Sequence, residues 1–228
     1  MKTASAPRPL KIAHRGAAGH APENTLGAVE TGIRLGADYV EIDVQRTRDG
    51  RLVVIHDSDV ARTTNGRGKV GEMTFEELRR LDAGSGEMIP ALEEVLEVAR
   101  DRTGLMIEIK VPGIAAQLYH TVDGHFPADK VIYASFHHAE LLEVRDLAAA
   151  VDTLALIDGV PVLGARFALD ARATHAGIAL DSLTPAFVKA LQESGLQVFV
   201  YTVNKPEDIR WLESLPVDGI ISDHPDRL

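Results

Sequence analysis

In the stretch Tyr39-Val-Glu-Ile-Asp-Val44, apolar and acidic residues alternate with a period of two. Side chains of a β-strand point alternately to its two faces, so Val40, Ile42 and Val44 share one face, and Glu41 and Asp43 the other. The apolar face must pack against helices, which turns both carboxylates to the inside of a closed sheet. Barrel interiors are normally filled with branched apolar side chains. Two carboxylates there repel each other and suffer desolvation unless something positive lies between them.

Working outward, short β-rich runs recur at Leu10–His14, Tyr39–Val44, Leu105–Lys110, Val131–Ser135, Thr153–Ile157, Gly177–Leu180, Gln197–Thr202 and Gly219–Ser222. Most are separated by stretches that hold one helix each, the pattern of repeated βα units. The fold expected is α/β, a (β/α)8 TIM barrel, in a single domain spanning residues 1–228. Helix signals support the alternation: Thr74-Phe-Glu-Glu77 is a capping box, and Thr184-Pro185 sets a cap residue before a first-turn proline. A ninth run, Leu52–His56, follows Val44 too closely to be the next parallel strand, which needs a crossover of a dozen or more residues. Asp49-Gly50 is a hairpin turn signal. The second strand should therefore leave the barrel, turn, and return antiparallel, delivering His56 near the barrel mouth. The GxGxxG at Gly66–Gly71 does not join a strand directly to a helix and reads as a flexible loop rather than a dinucleotide site. Residues 112–175 read as functionally quiet.

The bulk composition sets limits. The 228 residues are 45% hydrophobic and 25% charged, which is globular rather than disordered, and no run approaches the length of a membrane span. With no cysteine there is neither a disulfide nor a thiolate ligand, which fits a reducing, cytoplasmic setting. The opening MKTASAPRPLK lacks the apolar core of a secretory signal. A net charge of −10 argues against nucleic acid as a partner. The chain shows no amphipathic basic helix, so no stable membrane association is expected. Nothing in it speaks to oligomeric state.

The third barrel strand repeats the acidic pattern. In Leu105-Met-Ile-Glu-Ile-Lys110, Glu108 and Lys110 share the face opposite Ile107 and Ile109. Glu41, Asp43 and Glu108 should converge at the C-terminal strand ends, where a barrel carries its site. Three hard oxygen donors suit Mg²⁺ or Ca²⁺, with Mn²⁺ a further candidate. The alternative is an ion-pair cluster with Lys110 or Arg15, which would leave three carboxylates poorly balanced. The first strand ends in His14-Arg15-Gly16, and His56-Asp57 closes the returning hairpin. Two histidines beside a cation suit general acid–base work, since their pKa lies near neutrality. Of the other seven histidines, read as surface or structural, His20 is the first exception to consider. Tyr201 either contacts a substrate's carbon skeleton or caps the core. Asp223 is read as orienting a neighbour or pairing with a basic residue, and not as catalytic.

His14-Arg15-Gly16, Pro22-Glu-Asn-Thr25, Glu41-Ile-Asp43, His56-Asp57 and Glu108-Ile-Lys110, in this order and spacing, resemble the signature of glycerophosphodiester phosphodiesterases. The resemblance runs on through Tyr201-Thr-Val-Asn204 to Ser222-Asp-His-Pro225 and so covers nearly the whole chain. It implies a barrel of the phospholipase-C-like type, a small-molecule phosphodiester substrate and one divalent cation. It further implies Glu41, Asp43 and Glu108 as metal ligands, His14 and His56 as the acid–base pair, and Arg15 and Lys110 as phosphate holders. The chain departs from the pattern at Tyr201, often Trp, and Ser222, often Thr, and in a short segment 58–89 that implies a more open site. A lysophospholipase D-type enzyme and a catalytically inactive phosphodiester-binding barrel are the competing readings.

Overall fold

Eight parallel strands close into a ring in the computed structural model, which describes residues 8–228. In chain order the strands are β1 (Leu10–Ala13), β2 (Tyr39–Arg46), β3 (Leu52–Val54), β4 (Gly104–Ile109), β5 (Val131–Ser135), β6 (Asp152–Ile157), β7 (His175–Ala179), β8 (Gln197–Tyr201) and β9 (Gly219–Ser222). β1 pairs with both β9 and β2, which closes the barrel, while β3 lies outside it. Helices α1 (Leu26–Arg34), α2 (Phe75–Leu78), α3 (Leu92–Ala99), α4 (Ala115–Asp123), α5 (His138–Leu147), α6 (Arg166–Asp170), α7 (Pro185–Glu193) and α8 (Pro206–Leu212) connect them. The expected TIM barrel is the observed fold. The part of the opening segment that covers residues 1–7 lies outside the described residues.

The alternation read in β2 sets its orientation. Val40, Ile42 and Val44 are wholly buried in the layer between sheet and helices, together with Leu105, Ile107 and Ile109 of β4. The barrel interior is a second, smaller cluster of Ile12, Met106, Ile132, Leu154, Phe199 and Ile221. A one-residue slip of β2 would exchange its two faces. It would strip three apolar side chains, each worth about 1.5–3 kcal/mol, from the outer layer and press two carboxylates against helices instead. The register is therefore strongly fixed, and Asp43 stands beside Glu108 across the β2–β4 pair.

The excursion after β2 is a hairpin. β3 runs antiparallel to β2 with Val44 opposite Val54 and Arg46 opposite Leu52, and Ile55 N–H donates to Asp43 O at 2.9 Å. The buried Gln45 side chain donates to the His56 carbonyl at 2.9 Å and to the Asp57 carbonyl at 2.7 Å, fixing where the returning strand ends. Segment 58–89 packs its own small core of Val60, Val70, Leu78 and Ile89 against Val53 and Ile55. Gly66–Gly71 is accordingly not a loose loop. Val70 N–H donates to Ser58 O, Val60 N–H donates to Gly68 O, and a Cβ on Gly66 would strike Leu81. The capping box forms as read, with Thr74 and Glu77 satisfying each other's backbone N–H groups. Thr184 Oγ1 accepts from Phe187 N–H, with Pro185 opening α7.

The sixth ring strand, β7, starts two residues earlier than expected and releases Leu180 to a 3₁₀ turn. The polar His175 hid the start. Its ring is buried edge-on against Phe199, with Nδ1 at 2.6 Å from Thr174 Oγ1.

Candidate active site

All eight residues singled out in the sequence lie at the C-terminal end of the barrel. His14 and Lys110 each follow the last residue of their strand by one, and both hold the inward direction of the alternation. The Arg15 backbone then turns sharply, with φ +50°, and sends its N–H to Glu41 Oε2 at 2.8 Å. Gly16 follows at φ +94°, packed so closely on α1 that a Cβ would lie 2.5 Å from Ala28. Only glycine accommodates both demands.

Glu41, Asp43 and Glu108 each offer one carboxylate oxygen, and the three lie within 4.8 Å of one another. Glu41 and Asp43 are almost fully buried. Lys110 Nζ reaches Glu108 Oε1 at 2.6 Å and Asp43 Oδ1 at 3.5 Å, while Arg15 Nε lies 3.4 Å from Asp43 Oδ2. The guanidinium of Arg15 is shared, since its Nη1 also pairs with Glu23 at 2.7 Å. These two cations do not balance the triad. Burial, with the charges of Asp43 and Glu108 added, pushes the Glu41 carboxyl far above its ordinary range. Burial and Asp43 push Glu108 up to about 7, against the pull of Lys110. A cluster completed by ion pairs alone would hold its carboxylates low; this one is short of positive charge, and all its donors are hard oxygens. The residues thus fit a divalent cation.

The pH dependence follows from these directions. Carboxyls raised above their unfolded values stabilise the metal-free protein below the unfolded pKa, and that contribution is lost as pH rises through the folded one. For Glu108 the window runs from about 4.5 to about 7. A bound cation removes the penalty and expels the protons. The rise in melting temperature produced by saturating Mg²⁺ or Ca²⁺ should therefore grow from pH 5 to pH 8. The comparison is made at each pH, so His175, held low by burial at the other end of its strand, largely cancels, while a cation on Asp43 lowers His56 in the same sense as the carboxyls. A cation effect that shrinks across that range would contradict the assignment.

Both histidines are held by aspartates. His14 Nδ1 lies 2.6 Å from Asp223 Oδ1 and His56 Nδ1 2.5 Å from Asp57 Oδ1. With Nδ1 engaged, Nε2 is the nitrogen left for chemistry, and His14 Nε2 is 4.0 Å from Glu41 Oε2. Asp223 is fixed in turn by Asn204, whose Nδ2 donates to it at 2.6 Å and whose Oδ1 accepts from its backbone N–H at 2.9 Å. Asp57 is clamped by Arg62, which also grips Glu23, so His56 and Arg15 belong to one polar network. Burial, with Arg15 and Lys110 nearby, lowers the His56 pKa despite its carboxylate neighbours.

Several contributors were not assigned from sequence. Asn24 is buried, donates to Asp43 Oδ2 at 2.8 Å and accepts from Asp43 N–H at 3.1 Å. Its signal was present in Pro22-Glu-Asn-Thr25. Asn24→Ala should weaken cation binding about 10–100-fold, as loss of a ligand-orienting partner does, with Asn24→Asp retaining more; titration calorimetry measures this, and unchanged affinity would remove Asn24 from the site. Gln45 continues the inward series of Glu41 and Asp43 and was legible in that way, whereas Arg62 gave no signal.

The stretch 112–175, read as functionally quiet, contributes to the cleft. Ala134, Phe136 and Leu156 form one wall of the cleft that holds His14, Glu41 and Glu108, with Met106, Tyr201 and Ile221 completing it. Phe136 stands edge-on to Tyr201 with ring centres 6.0 Å apart. Tyr201 lines the cleft, and its hydroxyl donates to Ile157 O at 2.9 Å. A roomier cleft of about 570 Å³ opens at the other end of the barrel around Asp38, Asp101 and Lys130, away from these groups.

Residues 14–227 match the model of the glycerophosphoryl diester phosphodiesterase family. A glycerophosphodiester phosphodiesterase of Caldanaerobacter subterraneus subsp. tengcongensis is 39% identical over 232 residues, covering 96% of each chain. One from Bacillus altitudinis is 37% identical, covering 95% of each. Among solved structures, an Oleispira antarctica phosphodiesterase in complex with its product sn-glycerol-3-phosphate superposes with a TM-score of 0.91 at 29% identity, over 96% of this chain and 94% of that one. A glycerophosphodiester phosphodiesterase from Agrobacterium tumefaciens superposes at 0.84 with 30% identity, over 96% and 98%.

Proposed function

The chain belongs to the glycerophosphoryl diester phosphodiesterase family, and we propose that it hydrolyses soluble glycerophosphodiesters, such as glycerophosphocholine or glycerophosphoethanolamine, to glycerol 3-phosphate and an alcohol by paired histidine acid–base catalysis. The observation that carries this reading is the placing of two aspartate-held imidazoles around one buried, positively under-compensated carboxylate triad. A divalent cation held by Glu41, Asp43 and Glu108, either Mg²⁺ or Ca²⁺ with Mn²⁺ as a third candidate, would neutralise a non-bridging phosphate oxygen as a Lewis acid.

In the first step His56, neutral because its pKa is held low, takes the proton of the substrate's glycerol hydroxyl vicinal to the diester. That oxygen attacks phosphorus. His14 gives its proton to the departing alcohol oxygen as the P–O bond breaks, leaving a cyclic phosphate. The roles then exchange: His14 takes a proton from water, the water oxygen adds to phosphorus, and the ring P–O bond formed in the first step breaks as His56 returns a proton to that glycerol oxygen. Asp223 and Asp57 orient the rings and stabilise their charged forms, as the carboxylate of a catalytic triad does. Arg15 and Lys110 would hold the phosphate oxygens and stabilise charge developing on them. The apolar wall of Phe136 and Tyr201 suits the carbon skeleton.

This reading places the enzyme in the cytoplasm as one domain over residues 1–228, resting on the cysteine-free sequence and the continuous barrel. One observation favours a second substrate class. Val160, Val162 and Leu163, after β6 at the site's end of the barrel, are largely exposed, and Val162 fully so. Exposed apolar side chains there suit amphiphilic diesters such as lysophospholipids. Phosphorus NMR of turnover on glycerophosphocholine and on lysophosphatidylcholine tests both. Glycerol 3-phosphate from the first, with a transient cyclic signal, is the expected result. Turnover of the second alone would transfer the assignment to lipids, and accumulation of cyclic phosphate would make the enzyme a lyase.

A further inference from the structure

Beside the mouth of the barrel, His20, His224 and Asp226 each offer a ligand atom, and the three atoms lie within 4.8 Å of one another. They come from opposite ends of the chain. β9 pairs with β1 to close the barrel, and Gly19 N–H donates to Asp223 O at 3.0 Å, which brings the segment before α1 against the C-terminal turn. We propose that this cluster is a second metal site, selective for a borderline ion of the Zn²⁺ type and distinct from the carboxylate triad.

The donor chemistry separates the two sites. The triad offers only carboxylate oxygens, whereas this cluster offers two imidazoles and one carboxylate, a set that suits Zn²⁺, Co²⁺ or Ni²⁺ and poorly suits Mg²⁺ or Ca²⁺. Donors bound to one ion at about 2.0–2.2 Å lie within about 4.4 Å of each other, so modest side-chain rotation closes the site. His20 and His224 stand nearly perpendicular, at 80° with ring centres 5.3 Å apart. His20 Nε2 already lies 2.6 Å from Asp226 Oδ1, while Nδ1 of His224 is buried and has no hydrogen-bond partner. That nitrogen, unlike His20 Nε2 and Asp226 Oδ1, has no partner within the described residues.

The backbone around the donors is already fixed. Ser222 Oγ accepts from His224 N–H at 3.0 Å, Arg227 N–H donates to His224 O at 3.0 Å, and His20 N–H donates to Ala17 O at 2.8 Å. The His20 and Asp226 side chains are 33% and 40% exposed, leaving an approach for the ion and a position for water. A bound ion would staple the segment that carries Arg15 and Glu23 to the turn that carries Asp223. The site would therefore be structural, and none of its donors is used in the reaction proposed above.

The test is zinc titration of the whole protein by calorimetry, with excess Mg²⁺ present to occupy the triad. Wild-type protein should bind one equivalent of Zn²⁺ and melt at a higher temperature. His20→Ala and His224→Ala should each bind it at least about tenfold more weakly while keeping Mg²⁺-supported turnover. On the wild type alone, the His20 and His224 imidazole NMR signals should move as Zn²⁺ is added, which decides the matter even if a variant fails to fold. Unmoved imidazole signals, or equal zinc binding by wild type and variants, would overturn the site.

Discussion

Glu41→Ala protein is expected to lose cation binding and phosphodiester hydrolysis together. Glu41 is buried, its carboxyl is raised by burial and by both of its acidic neighbours, and it receives the Arg15 backbone N–H at 2.8 Å. Removing it leaves two donors and disturbs the turn that presents Arg15. Lewis-acid stabilisation of a phosphoryl group is worth several kcal/mol, so kcat/KM should fall by at least about three orders of magnitude. Glu41→Gln keeps an acceptor for the Arg15 N–H and removes the charge; it should fold like the wild type and be nearly as inactive. Paired calorimetry and turnover measurements check this. A Glu41→Ala enzyme that remains active without added metal would mean that the triad is an ion-pair cluster.

The second large effect is at the histidines. His14→Ala and His56→Ala should each lower turnover at least about a hundredfold, the usual contribution of a positioned acid or base. The two are distinguishable. His14 is assigned to the departing oxygen, so a substrate whose alcohol is a good leaving group, such as a nitrophenyl diester, should largely rescue His14→Ala and leave His56→Ala slow. Rescue of the His56 variant instead would reverse the two roles, and full activity in either variant would end its assignment.

The fold was legible because one strand states its own orientation. Val40, Ile42 and Val44 must meet helices, and the eight runs of this kind leave few topologies other than a closed barrel. The hairpin was legible for a steric reason, since too few residues separate Val44 from Leu52 for a parallel crossover. Strand limits were less clear at β7, where buried His175 reads as a polar boundary residue but packs on Phe199.

For the candidate site, the meeting of Glu41, Asp43 and Glu108 and the placing of His14 and His56 followed from alternation and strand ends. The partners of the supporting groups did not, because those contacts span distances that a single sequence does not display. Asn24 reaches β2 from the segment before α1, Asn204 reaches Asp223 from the end of β8, and Arg62 joins Asp57 to Glu23 from the hairpin lobe. Phe136 was missed for another reason: a lone aromatic after a strand looks like a core residue until its exposure and its contact with Tyr201 are seen.

The most direct measurement is release of glycerol 3-phosphate from glycerophosphocholine by metal-stripped protein, with Mg²⁺, Ca²⁺ or Mn²⁺ restored in turn. Release that is negligible without a cation and returns with at least one of the three is the predicted result. Undiminished release from the stripped protein, or none with any of the ions, would contradict the account.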